Sequence, residues 1–353
     1  MSDGQSTELD RARGLTRRDL VFKGGVAGAG ALSLGGFLAA CGGDDEEPAG
    51  REATGGNGKR SDLKITSVSH GPPGDAFWAV YRKGIEDAKE DFGIEIEDVI
   101  PEEFNVQLVV DNLNSAIAAR PDAIFFTPTE PPAFEAPVRQ AVEQGIRLIA
   151  VNVTDPRPPE ERLPFLFYIG SSEELGGQVA AQRQLEERTP TRALCANHAP
   201  GHVGLEARCK GYTDVLGEQG VQVDKLQIAQ DPTQAAEALR GYFTENQETD
   251  ALFTLGPVGA TPALQVLEEQ GLNEKVIHSS FDLSQEQIDA IKNGTLLSTI
   301  GQQQYLQGYL PALFLALNVE HGFTLAGDVL TGPFLVDQSN VEEVEQGVKD
   351  GFF

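Results

Sequence analysis

The sequence predicts an α/β fold made of two doubly wound, mostly parallel sheets, which form two lobes joined by a hinge. From Asp62 onward, short apolar runs rich in β-branched or aromatic residues alternate with longer amphipathic stretches. Such alternation is typical of βαβ units, whose right-handed crossovers cover both faces of a parallel sheet. The chain has 353 residues, enough for two domains of ordinary size.

The elements of the first lobe come directly from this alternation. Strands are predicted at 63–69, 123–127 and 148–151, and helices at 77–91, 105–119 and 133–144. In the second lobe, strands are predicted at 165–169, 193–196, 251–255 and 276–279, and helices at 173–187, 205–219, 235–246 and 260–270. A last unit, with a strand at 296–300 and a helix at 305–319, indicates that the chain returns to the first lobe near its end.

The lobe boundaries follow from the same reading. We assign residues 62–165 and 303–330 to the first lobe, and residues 166–302 and 331–353 to the second. Pro156, Pro158 and Pro159 mark a loop near the first boundary, since prolines interrupt regular structure.

The first 61 residues read as an export signal and a tether. Arg17 and Arg18 form a twin-arginine pattern, and a Gly/Ala/Leu stretch over 24–40 follows it. This stretch ends in Leu38-Ala39-Ala40-Cys41, which resembles the lipobox of bacterial lipoproteins, whose cysteine carries the lipid. We predict a lipoprotein signal over 1–40, lipidation of Cys41 and a flexible acidic tether over 41–61. A membrane span is the alternative, but the stretch is short and glycine-rich for ~30 Å of hydrocarbon.

The charge of the chain argues against one class of partner. It carries 27 Lys and Arg against 54 Asp and Glu, a formal net charge of -27. A surface this acidic repels phosphate backbones and anionic lipid. We therefore predict no nucleic-acid partner, and contact with a membrane through the lipid anchor only.

Polar and aromatic residues gather just after the predicted strands, where open parallel sheets bind their ligands. The segment from His70 to Trp78 follows the first strand, Asn152 and Asp155 follow the strand ending at Val151, and His198 follows the strand ending at Ala196. Aromatic faces suit the C–H surface of a sugar ring, while Asp, Asn, Arg and Gln suit paired hydroxyls. The pattern predicts a site for a small polyhydroxylated molecule.

The stretch from Leu63 to Leu317 resembles the periplasmic sugar-binding proteins of ABC importers, of the ribose-binding type, which have the type I periplasmic binding protein fold. The motifs that carry the resemblance are Gly74-Asp75-Ala76-Phe77-Trp78, Leu148-Ile149-Ala150-Val151-Asn152, Tyr168-Ile169-Gly170-Ser171, Arg208-Cys209-Lys210-Gly211-Tyr212, Ser280-Phe281-Asp282 and Ile300-Gly301-Gln302. Each is weak alone, but their order and spacing are specific. The resemblance implies ligand contacts from Asp75, Phe77, Trp78, Asn152, Arg208, Asp282 and Gln302.

Two departures from the ribose type affect the expected ligand. Where that type has an Asp-Arg pair, this chain has Asn152-Val153, and where it has an Asn-Asp pair, this chain has Gly256-Pro257. Further polar contacts are then expected from His70, Asp155 or His198. We expect a monosaccharide or a linear or cyclic polyol, captured by hinge closure and delivered to an ABC permease by a monomeric protein without a cofactor.

Several residues also have plainer readings. Phe77 and Trp78 can be core residues, Asp75 and Asp282 can cap helices, Arg208 can belong to an ion pair, and Gln302 can pack. His198 and His202 have a spacing found in zinc sites, but no accompanying ligands, so we predict no metal. Cys195 and Cys209 are either a disulfide or two buried thiols.

Two other functional classes compete with an importer subunit. One is an exported hydrolase, but the chain has no GxSxG elbow, Walker loop or Cys/His/Asn signature, so we predict that it is not an enzyme. The other is a ligand-sensing binding protein for a different small polar molecule, such as a sugar acid, a nucleoside or a signal molecule.

Overall fold

Two six-stranded sheets, each covered by helices, make up the part of the protein that the structure describes. A computed structural model describes residues 60–353. The predicted signal over 1–40, Cys41 and nearly all of the predicted tether lie outside the described residues. The strands are β1 (Lys64–Val68), β2 (Glu95–Val99), β3 (Ala123–Phe126), β4 (Arg147–Val151), β5 (Tyr168–Ser171), β6 (Arg192–Asn197), β7 (Gln222–Gln227), β8 (Ala251–Thr254), β9 (Ile277–Phe281), β10 (Ser298–Gly301), β11 (Val329–Gly332) and β12 (Phe334–Asp337). The helices are α1 (Ala76–Phe92), α2 (Val106–Ala118), α3 (Pro131–Glu143), α4 (Glu173–Glu187), α5 (Val203–Glu218), α6 (Pro232–Glu245), α7 (Pro257–Glu269), α8 (Gln285–Asn293), α9 (Gln304–His321) and α10 (Val341–Lys349).

The two sheets share one topology. The first has the order β11-β5-β4-β3-β1-β2 and the second has the order β12-β10-β9-β8-β6-β7. The strand pairs are parallel except β10 with β12. The central strands β3 and β8 are buried along their whole length, as expected when helices cover both faces of a sheet. The predicted fold class, two doubly wound parallel-sheet lobes, is confirmed.

The chain passes between the lobes at three places: from β5 to α4, from β10 to α9, and from β11 to β12. After the first crossing, α4 packs on α5 of the second lobe. After the second, α9 packs on α1 of the first lobe. Each lobe is therefore completed by a helix that follows a strand of the other sheet, and the three crossings form the hinge.

The predicted boundary between residues 165 and 166 is wrong. Strand β5 belongs to the first sheet, because Tyr168 pairs with Ala150 and Ile169 pairs with Val151. The proline-containing loop is an excursion within the first lobe, and Leu163 from this loop packs in that lobe's core. The predicted boundary between 330 and 331 is two residues early, since β11 runs to Gly332.

Helices α1 and α5 begin at the cleft between the lobes, and each has a side-chain cap there. Asp75 caps α1, and its Oδ1 accepts a hydrogen bond from the backbone N–H of Phe77 at 2.8 Å. His202 caps α5 in the same way, because its Nδ1 accepts from the N–H of Gly204 at 3.2 Å. The first turns of both helices therefore lie beside the carboxyl ends of the strands.

Cys195 and Cys209 form a disulfide, with their Cα atoms 5.9 Å apart. Of the two readings open from the sequence, the structure has the disulfide. It joins β6 to α5 and so closes the loop that contains His198 and His202.

Candidate functional site

A cavity of about 100 Å³ lies between the lobes at the carboxyl ends of their strands. Nine of the ten residues predicted to contact a ligand line this one cavity, namely His70, Asp75, Phe77, Trp78, Asn152, His198, Arg208, Asp282 and Gln302. The lobes touch beside it, since the N–H of Val203 in α5 donates to the carbonyl of Thr129 after β3 at 3.3 Å. The cleft is therefore closed.

Aromatic rings form the wall that the first lobe contributes. Trp78 meets Phe77 edge to face with ring centroids 5.0 Å apart, and it meets His70 in the same way at 4.7 Å. Phe77 and Trp78 also belong to the core cluster of this lobe, which confirms the core reading, while their contact with a ligand stays a prediction. Asp75 likewise caps α1 and lines the cavity.

The second lobe contributes a buried ionic group. The guanidinium of Arg208 donates through Nε and Nη2 to the two carboxylate oxygens of Glu173, and through Nη1 to the carbonyl of Leu255 at 2.7 Å. It also stacks on the ring of Phe281, 3.8 Å from the ring centroid. Burial lowers the pKa of Arg208, but the carboxylates of Glu173 and Asp282 outweigh burial and raise it. Arg208 is thus both part of an ion pair and exposed to the cavity.

Asp282 and Gln302 face the cavity as a hydrogen-bonded pair. Nε2 of Gln302 donates to Oδ1 of Asp282 at 2.6 Å, while Oε1 of Gln302 has no partner among the described residues. Oδ2 of Asp282 is 3.8 Å from Nη1 of Arg208. Burial raises the pKa of Asp282 to about 7, although Arg208 and Gln302 oppose this shift. The pair offers a carboxyl group and an amide oxygen to a ligand.

Asn152 connects the cavity to the hinge. Its Nδ2 donates to Oε1 of Gln307 in α9 at 3.1 Å, and Nε2 of Gln307 donates to the carbonyl of Gln302 at 3.2 Å. The hydroxyl of Tyr168 donates to the carbonyl of Asn152 at 2.7 Å. One hydrogen-bond network therefore joins cavity residues of both lobes through a helix of the hinge.

Two histidines meet across the cleft. Nε2 of His70 is 3.4 Å from Nε2 of His202. Because Nδ1 of His202 accepts from backbone N–H groups, its Nε2 carries the proton and donates to His70. Burial, assisted by Arg208, lowers the pKa of His70 to about 3 and that of His198 to about 4. These rings are neutral near pH 7 and serve as hydrogen-bonding groups.

The prediction for Asp155 is wrong, because this residue does not line the cavity. Its Oδ2 accepts from the N–H of Leu163 at 2.9 Å and pairs with Nη2 of Arg157 at 2.8 Å. Its carboxylate therefore fastens the loop between β4 and β5. Position after a strand predicted its role, but the turn of this loop directs it away from the cleft.

Phe104 and Glu173 are two site residues that were not predicted from the sequence; Leu205, Gln230 and Val258 also line the cavity without having been predicted. Phe104 lines the cavity from the loop after β2, a strand that the apolar pattern of the sequence did not predict. Glu173 lies behind Arg208, in the first turn of α4. Its position two residues after β5 was a usable signal, since the other site residues also follow strands closely.

Within residues 60–353 no cluster of His, Cys, Asp and Glu has the arrangement of a metal site. No helix in the same range is both long enough and apolar enough to cross a membrane.

Comparison with known proteins gives a family and several relatives. Residues 67–321 match a family model described as a periplasmic binding protein domain. The chain is 26% identical to the xylose/arabinose-binding protein XylF of Sulfolobus acidocaldarius over 285 residues, which cover 78% of this chain and 69% of the relative.

Solved structures agree with this match. A carbohydrate transporter from Acidothermus cellulolyticus, in complex with myo-inositol, is 30% identical with a TM-score of 0.76, covering 82% of this chain and 99% of the other. A periplasmic sugar-binding protein of an ABC sugar transporter from Legionella pneumophila is 26% identical with a TM-score of 0.72, covering 76% and 99%.

Proposed function

The chain belongs to the periplasmic binding protein family, and on that premise we propose that it captures a monosaccharide or polyol between its lobes and delivers it to an ABC permease. One observation carries the proposal: a single cavity joins the aromatic wall of the first lobe to the fixed polar groups of the second. Aromatic faces bind the C–H surface of a sugar ring, and carboxylate, amide and guanidinium groups bind its hydroxyls. The myo-inositol bound by the relative from Acidothermus cellulolyticus supports a cyclic polyol.

The mechanism follows from the position of the cavity. A ligand that forms hydrogen bonds to both lobes favours the closed cleft, because it binds that state more tightly than the open one. The permease would then recognise the closed form. The relatives are solute-binding transport proteins, and capture of this kind needs neither a catalytic group nor a cofactor.

We further propose that the protein works as a monomer outside the cytoplasm, held at the membrane by lipid on Cys41. Family membership supports an extracytoplasmic location. The motif Leu38-Ala39-Ala40-Cys41 supports lipidation. Expression in a lipoprotein-producing host should give membrane-bound protein, and Cys41→Ser should release it in soluble form. Membrane association of the Cys41→Ser variant would contradict the anchor.

A thermal-shift screen tests the ligand assignment. The purified protein is heated with pentoses, hexoses, linear polyols, inositols, sugar acids, nucleosides and amino acids. Ligand at a hundred times its dissociation constant should add about 2.7 kcal/mol to the free energy of unfolding. A sugar or polyol should raise the midpoint. A shift with nucleosides or amino acids alone would contradict the proposal and favour a sensor of another molecule.

A matched pair of variants tests whether the aromatic wall takes part. Trp78 and Phe167 are both buried in the core cluster of the first lobe, but only Trp78 lines the cavity. Trp78→Leu and Phe167→Leu should both lower the melting temperature, and only Trp78→Leu should weaken ligand binding. Equal affinities of the two variants would remove the stacking role.

A further inference from the structure

Arg208 is the only Arg or Lys among the described residues that line the cavity. An isolated guanidinium here would attract sugar acids, since it binds carboxylates well. It is not isolated, because Nε and Nη2 both donate to the carboxylate of Glu173. Glu173 is 8% exposed and does not itself line the cavity. Its charge offsets that of Arg208 from behind.

Two further carboxyl groups reach the cavity from opposite lobes. Asp75 comes from the start of α1, and Asp282 follows β9. Oδ2 of Asp282 lies 3.8 Å from Nη1 of Arg208. The cleft and the wall behind it thus hold one guanidinium and three carboxyl groups, in a closed site where charges interact more strongly than in water. An anionic ligand would find the one guanidinium of the described cavity lining already paired with Glu173, and it would lie beside the carboxyl groups of Asp75 and Asp282.

Arg208 keeps its use for a neutral ligand. Its Nε, Nη1 and Nη2 each have one N–H engaged, with Glu173 and with the carbonyl of Leu255. The remaining N–H groups on Nη1 and Nη2 can donate to ligand hydroxyls. The arrangement therefore keeps the directional donors of an arginine while removing its net charge.

We propose that the cavity excludes anionic ligands and that Glu173, a residue outside the cavity wall, determines this selectivity by neutralising Arg208. The inference rests on the proposed function and narrows it to uncharged sugars and polyols. Glu173 acts through Arg208 and is a positioning residue. Replacing it by Gln keeps its size and one acceptor oxygen but removes the negative charge that is paired with the guanidinium.

The test compares sugars with their own acids, using the full chain. Glucose with glucuronate, galactose with galacturonate, xylose with xylonate and arabinose with arabinonate are titrated calorimetrically, and myo-inositol is included as a neutral ligand. Wild-type protein should bind each acid at least a hundredfold more weakly than the neutral partner. Glu173→Gln should narrow that ratio by tenfold or more, chiefly by strengthening acid binding.

Glu174→Gln is the matched control. Glu174 is the next residue of α4, and its replacement by Gln removes one negative charge, as Glu173→Gln does. The carboxylate of Glu174, however, pairs with Lys210 on the surface. Glu174→Gln should leave the ratio unchanged. Glu173→Asp keeps the charge and should also keep the selectivity. If Glu173→Gln does not fold, the wild-type comparison and Glu173→Asp still test the proposal.

The outcomes separate the two proposals. Equal affinities of the wild-type protein for the neutral ligands and for their acids would overturn the inference and leave the proposed function standing. An unchanged ratio in folded Glu173→Gln would also overturn it. Binding of acids without binding of any neutral sugar or polyol would overturn both proposals. The absence of all binding, to the wild type and to Glu173→Gln, would also overturn both.

Discussion

The two lobes have the same topology and present different side chains to the cleft. Strands β4 and β9 occupy the same place in their sheets, and each is followed by a non-glycine residue with a left-handed backbone: Asn152 at φ 62° and Asp282 at φ 63°. Asn and Asp adopt this conformation more readily than other non-glycine residues, and both side chains line the cavity. The two lobes therefore share a left-handed residue directly after the corresponding strand.

The side chains that the two lobes present to the cavity differ. The first lobe presents rings around Trp78, whereas the second presents the Arg208–Glu173 pair and Asp282. The first lobe therefore provides an apolar face together with Asp75 and Asn152, and the second provides the ionic group and Asp282. The shared topology therefore fixes where the side chains lie, while the residue at each position decides which part of a ligand it binds.

The largest expected effect lies in the ionic lobe. Arg208→Ala leaves Glu173 buried without its partner, and breaking a buried pair in this way costs about 3–5 kcal/mol of stability. Urea unfolding measures this loss. Lys210→Ala removes two exposed ion pairs from the same helix, with Glu174 and Asp214, and should cost far less stability than Arg208→Ala. Similar losses for both variants would mean that the ionic group is not the distinctive feature of this lobe.

A pair of glycines tests whether the scaffolds are equivalent. A methyl group on Gly84 of α1 would overlap the carbonyl of Tyr305 in α9, and one on Gly177 of α4 would overlap the carbonyl of Arg208 in α5. Overpacking of this kind costs about 1–3 kcal/mol, so Gly84→Ala and Gly177→Ala should destabilise the protein to a similar extent.

Thermal melts of the two variants measure this cost. Gly217→Ala is the control, because a methyl group at this helical position meets nothing within 4 Å. That variant should be neutral or slightly stabilising, since Ala is the better helix former. A large difference between Gly84→Ala and Gly177→Ala would show that the two helix pairs are not equivalent.

A smaller effect is expected at the aromatic wall. A methyl group on Gly71 would overlap the indole ring of Trp78, so Gly71→Ala must displace the ring without removing a cavity side chain. We expect ligand affinity to fall about tenfold, which corresponds to ~1.4 kcal/mol. Gly74→Ala, in the same loop, has open space around the added methyl and should bind normally. Calorimetric titration distinguishes them, and equal affinity would argue that the ring position does not matter.

The smallest effect concerns titration, and it should occur at Asp282 but not at Asn152. Burial raises the pKa of Asp282 to about 7, above its unfolded value, so the folded protein holds a proton that the unfolded chain releases. The resulting stability is complete below the unfolded pKa and is lost as the pH rises through about 7. Between pH 6 and 7 the loss should be about 1 kcal/mol.

Unfolding experiments at several pH values, with Asp282→Asn beside the wild type, measure this difference. The variant should lack this part of the pH dependence. Identical curves for the two proteins would mean that Asp282 stays ionised in the folded state.

The central strands were predictable from the sequence, while the edge strands were not. Strands β3 and β8 read as apolar runs because both of their faces are buried. The edge strands β2 and β7, with sequences EIEDV and QVDKLQ, have one face exposed and carry charges there. Their alternating polar residues hide them from a search for apolar runs, and Phe104, which follows β2, was lost with them.

Part of the site was predictable because its residues follow strands directly, whereas Asp75, Phe77, Trp78 and Arg208 were predicted through the family resemblance. Asn152 and Asp282 each come one residue after a strand, and topology alone places them at the cleft. Asp155 was mispredicted because it comes four residues after β4, where the loop has already turned away. The disulfide and the Glu173–Arg208 pair depend on contacts between elements that sequence spacing does not encode.

The exchange of helices at the hinge also bears on how the chain folds during synthesis. Helix α1 is complete after residue 92, but α9, which covers it, ends only at residue 321. Domains made earlier on the ribosome usually fold first. Here the first lobe lacks α9 and the edge strand β11 until residue 332 has been made, and the second lobe lacks the edge strand β12 and helix α10 until residue 349. We therefore expect neither lobe to close its core until nearly the whole chain has been made.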